Sequence, residues 1–250
     1  TGDLKELYVA EPGIAGLLAE GVAHYPLWSP DSTRVAFIAF TSRGLSLFVD
    51  DLTDSDGPAS ILDRAPLWMS WSPNSQYLLV HGGANHFLVN MLKGMEVRTL
   101  GYLADGYRVP AWKPPREIIT LAIGEGPGRY TILSIEVFAD GLNEPQPITF
   151  LIEIGFPLNP AFLWSPGGES LALSGSTRVV SYLDRPILVY RDLAIVSENE
   201  AAEILIQDNV TAYFWSPDGS RLAYVAPSQD PGMLRWAVVN IVNGKRWHLV

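Results

Sequence analysis

The sequence predicts an all-β chain, a β-propeller of four-stranded antiparallel blades, and three observations predict it. A tryptophan-centred segment recurs five times at a blade-sized period. The strand after a copy is apolar on both faces. No helical pattern intervenes. The copies align without gaps as Leu27-Trp28-Ser29-Pro30-Asp31-Ser32, Trp71-Ser72-Pro73-Asn74-Ser75, Trp112-Lys113-Pro114-Pro115-Arg116, Trp164-Ser165-Pro166-Gly167-Gly168 and Trp215-Ser216-Pro217-Asp218-Gly219. They use five of the eight tryptophans, Trp28, Trp71, Trp112, Trp164 and Trp215, spaced 43, 41, 52 and 51 residues apart. That interval holds four short strands and their turns.

Each copy has the chemistry of a hairpin. Asp218-Gly219, Asp31-Ser32, Asn74-Ser75 and Gly167-Gly168 are turn pairs, because Gly, Asn and Asp tolerate positive φ, and the proline before each pair belongs where a strand has just ended. Pro115-Arg116 has no residue that accepts positive φ cheaply, so the third hairpin needs another kind of turn. After the turns come runs such as Val35-Ala36-Phe37-Ile38-Ala39-Phe40 and Leu171-Ala172-Leu173, and later Ile187-Leu188-Val189-Tyr190 and Trp236-Ala237-Val238-Val239. Runs apolar on both faces need cover on both sides. Twisted antiparallel sheets packed face to face provide it, whereas a simple sandwich gives cleaner alternation.

In order, Glu6–Ala10 and Gly16–Ala19 read as the two outer strands, c and d, of a partial blade over residues 1–22. The first complete blade, 23–63, has strand a near Tyr25–Ser29, b near Arg34–Phe40, c near Leu45–Asp50 and d near Ser60–Asp63. Blades over 64–104, 105–153, 157–208 and 209–250 follow, the last ending with c at Leu234–Val242 and d at Lys245–Val250. Five full blades plus a half blade, of the six-bladed type, are expected to form a single domain over 1–250. Its missing a and b strands imply a truncated blade or a chain cut from a longer protein.

The Trp-Ser-Pro-Asp-Gly-Ser-Arg-Leu-Ala-Tyr stretch at 215–224, with its four weaker copies, resembles the WD40-like (PD40) repeat of TolB-type β-propellers across nearly the whole chain. That resemblance implies a protein-binding role in a bacterial envelope and a periplasmic or extracytoplasmic location. Similar repeats form the amino-terminal propellers of prolyl oligopeptidase-like peptidases, which implies an alternative role as the gating or regulatory domain of a larger hydrolase. TolB-type proteins carry an α/β domain ahead of the propeller, and nothing like it is present in these 250 residues.

Composition narrows the function. With 48% apolar and 18% charged residues the chain is no disordered polymer, and 17 basic against 27 acidic side chains, net charge −10, argue against nucleic acid as a partner. The absence of cysteine excludes disulfides, thiolate metal sites and cysteine nucleophiles. No apolar run is long enough for a membrane span, and Thr1-Gly2-Asp3-Leu4-Lys5-Glu6 lacks the plan of a signal peptide. No nucleophile elbow, zinc-protease motif or phosphate loop occurs, so the expectation is a non-enzyme without cofactor or metal, binding a protein or peptide as a monomer.

The candidate site lies where the inner strands begin. Three to five residues before the repeat tryptophans stand His24, Tyr25, Trp68, Tyr107, Arg108 and Asn159. Arg108 suits bidentate contact with a carboxylate, and Tyr25, Trp68 and Tyr107 offer flat surface to a peptide or sugar. The alternative is that these aromatics fill blade interfaces. His81-Gly82-Gly83-Ala84-Asn85-His86 offers two imidazoles, too few for a stable zinc site, and reads as a solvent-exposed turn. Asp50-Asp51-Leu52-Thr53-Asp54-Ser55-Asp56-Gly57 misses the calcium-loop pattern, with Leu52 at its first ligand position, and reads as an acidic turn from c to d.

Overall fold

Alternating turn motifs and doubly apolar runs give strands throughout, and the computed structural model describes residues 4–7, 15–19, 24–42, 44–54, 56–63, 68–83, 85–103, 110–126, 129–138, 141–142, 146–153, 162–174, 177–183, 185–197, 203–228, 230 and 233–249. The described residues form propeller-type antiparallel sheets in two compact units, Thr1–Ala104 and Asp105–Val250.

The first unit opens with the expected strand pair, β1 (Leu4–Leu7) and β2 (Ala15–Ala19). A four-stranded sheet follows, in the order β3 (His24–Trp28), β4 (Arg34–Thr41), β5 (Gly44–Asp51) and β6 (Ala59–Leu62), within a residue or two of the expected a to d strands. Its neighbour orders β7 (Trp68–Trp71), β8 (Tyr77–Gly82), β9 (Asn85–Asn90) and β10 (Glu96–Leu103). Leu27, Ala36, Leu47 and Val49 of the first sheet pack on Trp71, Leu78, Val80 and Val89 of the second. Burial on both sides accounts for the composition of β8, in which every residue is buried.

The described residues of the second unit form three sheets. The first contains β11 (Ala111–Lys113), β12 (Ile118–Gly126) and β13 (Arg129–Phe138), with β13 paired along one edge to β14 (Gly141–Leu142) and β15 (Gln146–Glu153). The next contains β16 (Phe162–Trp164), β17 (Ser170–Ser174), β18 (Thr177–Tyr182), β19 (Arg185–Ser197) and β20 (Glu203–Val210). β17 and β18 pair with β19 in one continuous register, Ser174 opposite Leu193 and Thr177 opposite Tyr190, so together they act as an interrupted strand b of a long hairpin. β20 runs to Val210, which moves the expected blade boundary from 208/209 to Thr211. The last sheet is β21 (Ala212–Trp215), β22 (Arg221–Pro227), β23 (Leu234–Asn240) and β24 (Arg246–His248).

In three of the copies the repeat tryptophan joins its sheet to the one before it. The Nε1–H of Trp71 donates to the Leu27 carbonyl at 2.9 Å, that of Trp164 to Thr120 Oγ1 at 2.7 Å, and that of Trp215 to the Leu163 carbonyl at 2.9 Å. Buried indoles need such a partner.

The serine beside the tryptophan is the pivot of four of the a–b turns, a role the sequence reading did not give it. Ser72 donates its backbone N–H to the Tyr77 carbonyl, accepts the Tyr77 N–H on Oγ and donates its hydroxyl to Asn74 Oδ1. Ser29 with Asp31 and Ser216 with Asp218 repeat the arrangement. In the fourth copy Gly167 replaces the acid, and Ser165 reaches Glu169 instead. Only the second residue of each expected turn pair takes positive φ, namely Ser32, Ser75, Gly168 and Gly219; Asp31, Asn74 and Asp218 act through their side chains. The Asp31 carboxyl lies at about 2: burial raises it, but the Ser29 and Thr33 hydrogen bonds and the nearby Arg34 charge outweigh that. The third copy uses a different turn, as expected, with Lys113 at the serine position and a cis Pro114–Pro115 bond.

Candidate functional site

In the first unit β3 and β7 start at the end of their sheets where the b–c hairpins turn, with Thr41 opposite Gly44 and Gly82 opposite Asn85. Two of the predicted site residues are described there with their side chains. The pairing of β3 with β4 slips between His24 and Leu27, and in that slip Tyr25 adopts φ 53° and is 78% exposed. Positive φ is rare for an aromatic residue, so the backbone holds this ring outward at an energetic cost of about 1–3 kcal/mol. Phe40, near the end of β4, is exposed at the same end. Trp68 opens β7 and is half-buried. His24 is placed by its backbone, opposite Ile38. Tyr107, Arg108 and Asn159 lie outside the described residues.

Trp68, His81 and His86 form one cross-strand row over β7, β8 and β9, on the face opposite the one that packs against the first sheet. The expectation of a solvent-exposed turn at the two histidines is wrong. His81 and His86 are buried and stacked, with ring centroids 4.7 Å apart at 34°. They stand on the paired strands two and three residues from Gly83, where the face is covered, and among the described residues of this hairpin Gly83 is the exposed one. Burial lowers the His81 pKa below the ordinary imidazole value, although a hydrogen bond with the Gly83 backbone opposes the shift. Among the described residues no three His, Asp or Glu side chains converge as a metal site would require.

The acidic segment at 50–57 connects β5 to β6 as expected. Asp51 binds the Arg34 guanidinium at 2.7 Å and accepts from the N–H and hydroxyl of Thr53, while Asp54 accepts from the Asp56 N–H. These carboxylates hold their own turn together.

A second aromatic surface lies in the other unit and was not anticipated as a site. One face of the last sheet packs Tyr213, Leu222, Tyr224 and Val239 against Ala172, Leu193, Ile206 and Val210. Its reverse face leaves Phe214 51%, Trp236 43% and Trp247 36% exposed. Phe214 and Trp236 stack at 6.3 Å, and Arg221 and Lys245 lie over the Trp247 ring. The sequence signal was present in the doubly apolar run Trp236–Val239, which demanded cover on both sides.

Solved structures similar to this chain are β-propellers. TolB from Acinetobacter baumannii is 17% identical, with a TM-score of 0.54 over 94% of this chain and 56% of that one. An oligogalacturonate lyase in complex with manganese is 15% identical, TM-score 0.56, over 90% of this chain and 64% of that one. The β-propeller domain of the Trilobed protease from Pyrococcus furiosus, described as having an open velcro topology, is 14% identical, TM-score 0.59, over 98% and 76%. The chain thus spans little more than half of the TolB structure and under two thirds of the lyase. No family model matches the sequence, and no curated protein does so either. At these identities the likeness establishes the propeller fold.

Proposed function

We propose that the chain is a non-enzymatic, TolB-like propeller scaffold that recognises a protein or peptide partner in a bacterial periplasm. Its binding surface is the end of the sheets where the inner strands begin. The observation that carries this reading is Tyr25, an aromatic side chain 78% exposed on a positive-φ backbone, at the same end of the sheets as the half-buried Trp68. Exposed, rigid aromatics supply much of the energy of peptide recognition with little entropy to lose. His81 and His86 behind Trp68 fix its sheet without reaching solvent. Arg108 enters this reading on its chemistry alone, as a cation suited to a carboxylate.

The test is capture of a partner from periplasmic extract by the parent chain and by Tyr25→Ala, Trp68→Ala and Arg108→Ala. Loss of at least tenfold in affinity in the Trp68 and Arg108 variants is expected, and undiminished binding in both removes this surface from consideration. The likeness to a protease's propeller domain supports a second reading, in which the chain gates or regulates a larger hydrolase. The intact mass of the native gene product separates the two: a product near 27.4 kDa favours the scaffold, a much heavier one the hydrolase.

A further inference from the structure

The chain contains one Asn-Gly dipeptide, Asn243-Gly244, and it lies in the exposed turn between β23 and β24. Asn240 shapes this turn. Its Oδ1 accepts the N–H groups of Val242 and Asn243, its carbonyl accepts the Gly244 N–H at 3.0 Å, and its own N–H donates to the Lys245 carbonyl. Asn243 Oδ1 accepts the Lys245 N–H at 3.0 Å, which folds the Asn243 side chain back over the Gly244 peptide group. Gly244 takes φ 66°, and a Cβ there would meet no atom within 4 Å. Asn74-Ser75, in the turn after Trp71, is the opposite case. Asn74 Oδ1 accepts from the Ser72 hydroxyl and the Gln76 N–H, its Nδ2 donates to Gln76 Oε1, and Ser75 is buried with its N–H on the Ser72 carbonyl.

We propose that Asn243 is a modification site, at which the folded chain deamidates through a cyclic imide and acquires an isoaspartyl linkage. The Gly244 nitrogen gives its proton to hydroxide and bonds to Asn243 Cγ. The Cγ–Nδ2 bond breaks and Nδ2 leaves as ammonia, its third proton coming from water. Water then opens the five-membered ring at either carbonyl, giving aspartate, or isoaspartate in which the main chain runs through Cγ. No electrons change hands. Glycine favours the step because no side chain crowds its nitrogen and its backbone turns freely toward Cγ. The single bond to be released is the one from the Gly244 N–H to the Asn240 carbonyl, in a turn open to water. The isoaspartyl form carries an added negative charge beside Lys245 and Arg246 and an extra main-chain carbon inside the ring of bonds that joins β23 to β24.

The test keeps the folded 250-residue chain at mildly alkaline pH for days, then maps its peptides by mass spectrometry with fragmentation that separates aspartate from isoaspartate. The peptide holding Asn243 should gain the mass of one amide-to-acid conversion, with isoaspartate the larger product, about tenfold or more faster than the peptide holding Asn74. Its rate should rise with hydroxide concentration. Gly244→Ala, whose added methyl collides with nothing, should slow the conversion by about tenfold or more. An Asn243 peptide that keeps its mass, that converts no faster than the Asn74 peptide, or that is indifferent to Gly244→Ala overturns the proposal.

Discussion

Two turns in the second unit do the same job with different chemistry. The one after Trp164 is built on Ser165, with Gly168 at φ 78°, and the one after Trp112 has Lys113 in place of serine and Pro115-Arg116 in place of the glycine pair. The register they close is identical, Trp164 opposite Leu171 and Trp112 opposite Ile119, and it recurs as Trp28 with Val35, Trp71 with Leu78 and Trp215 with Leu222. The pairing is therefore set by the buried strands rather than by the chemistry of the turn. The turn must fit that register and its neighbours. Where the serine is missing, Lys113 compensates in part by lying buried with its ammonium 4.7 Å from the Trp164 ring centroid.

The largest effect should come from the place where these two turns meet. A Cβ added at Gly168 would fall on the Pro114 carbonyl oxygen, whereas one at Gly219, with nearly the same φ, would find its nearest neighbour at 3.5 Å. Gly168→Ala combines backbone strain with a collision against rigid backbone and should cost about 3–5 kcal/mol in denaturant unfolding. Gly219→Ala carries strain alone, about 1–2 kcal/mol. Equal costs would mean that close approach of the turns is not what distinguishes them.

Next come the serines. Ser72 is fully buried, and its loss removes the Oγ that accepts the buried Tyr77 N–H, so Ser72→Ala should destabilise by about 2 kcal/mol. Ser216 makes the same bonds in a partly exposed turn where water replaces them, and Ser216→Ala should cost about 0.5 kcal/mol. The difference, read from urea midpoints at constant slope, measures burial rather than bond count. Smaller again than the Ser72 loss, Trp215→Phe keeps the ring but deletes the N–H to the Leu163 carbonyl, for about 1 kcal/mol.

The architecture was legible because Trp-Ser-Pro-Asp-Gly is a local signal: the residues that close a turn are neighbours in sequence, and recurrence at blade spacing multiplies the signal. Even the odd third turn could be anticipated, from the lack of a positive-φ residue at Pro115-Arg116. What stayed hidden depends on which face a strand presents and what lies against it. His81 and His86 flank a Gly-Gly turn and look exposed in one dimension, yet their positions on β8 and β9 put both rings under cover. Ser29, Ser72, Ser165 and Ser216 read as filler between tryptophan and proline, because their bonds run to residues two to five places along the chain and become visible only in the closed hairpin. Tyr25 and Trp68 stand near the strand starts where the sequence put them; the exposure that makes Tyr25 the stronger candidate comes from a slip in strand pairing that no motif encodes.

The smallest effect contrasts the two ends of the same sheets through pH. At the turn end the Asp31 carboxyl sits at about 2, below its ordinary 3.8, so the stability it confers is present above that ordinary value and is lost only as pH falls toward 2. At the other end the His81 imidazole is pushed below its ordinary 6.5, chiefly by burial. The unfolded chain then binds its proton first, so this contribution to stability is full above pH 6.5 and declines as pH falls below it. Between pH 7.5 and 5 the turns should be silent and His81 should respond. Thermal unfolding of the parent is expected to show a modest fall in Tm over that interval. His81→Leu, which removes the titrating ring and keeps an apolar side chain in the buried row, should flatten it. A variant whose Tm falls as steeply as the parent's would place the titrating group elsewhere, and leave the two ends of the sheets indistinguishable in their response to acid.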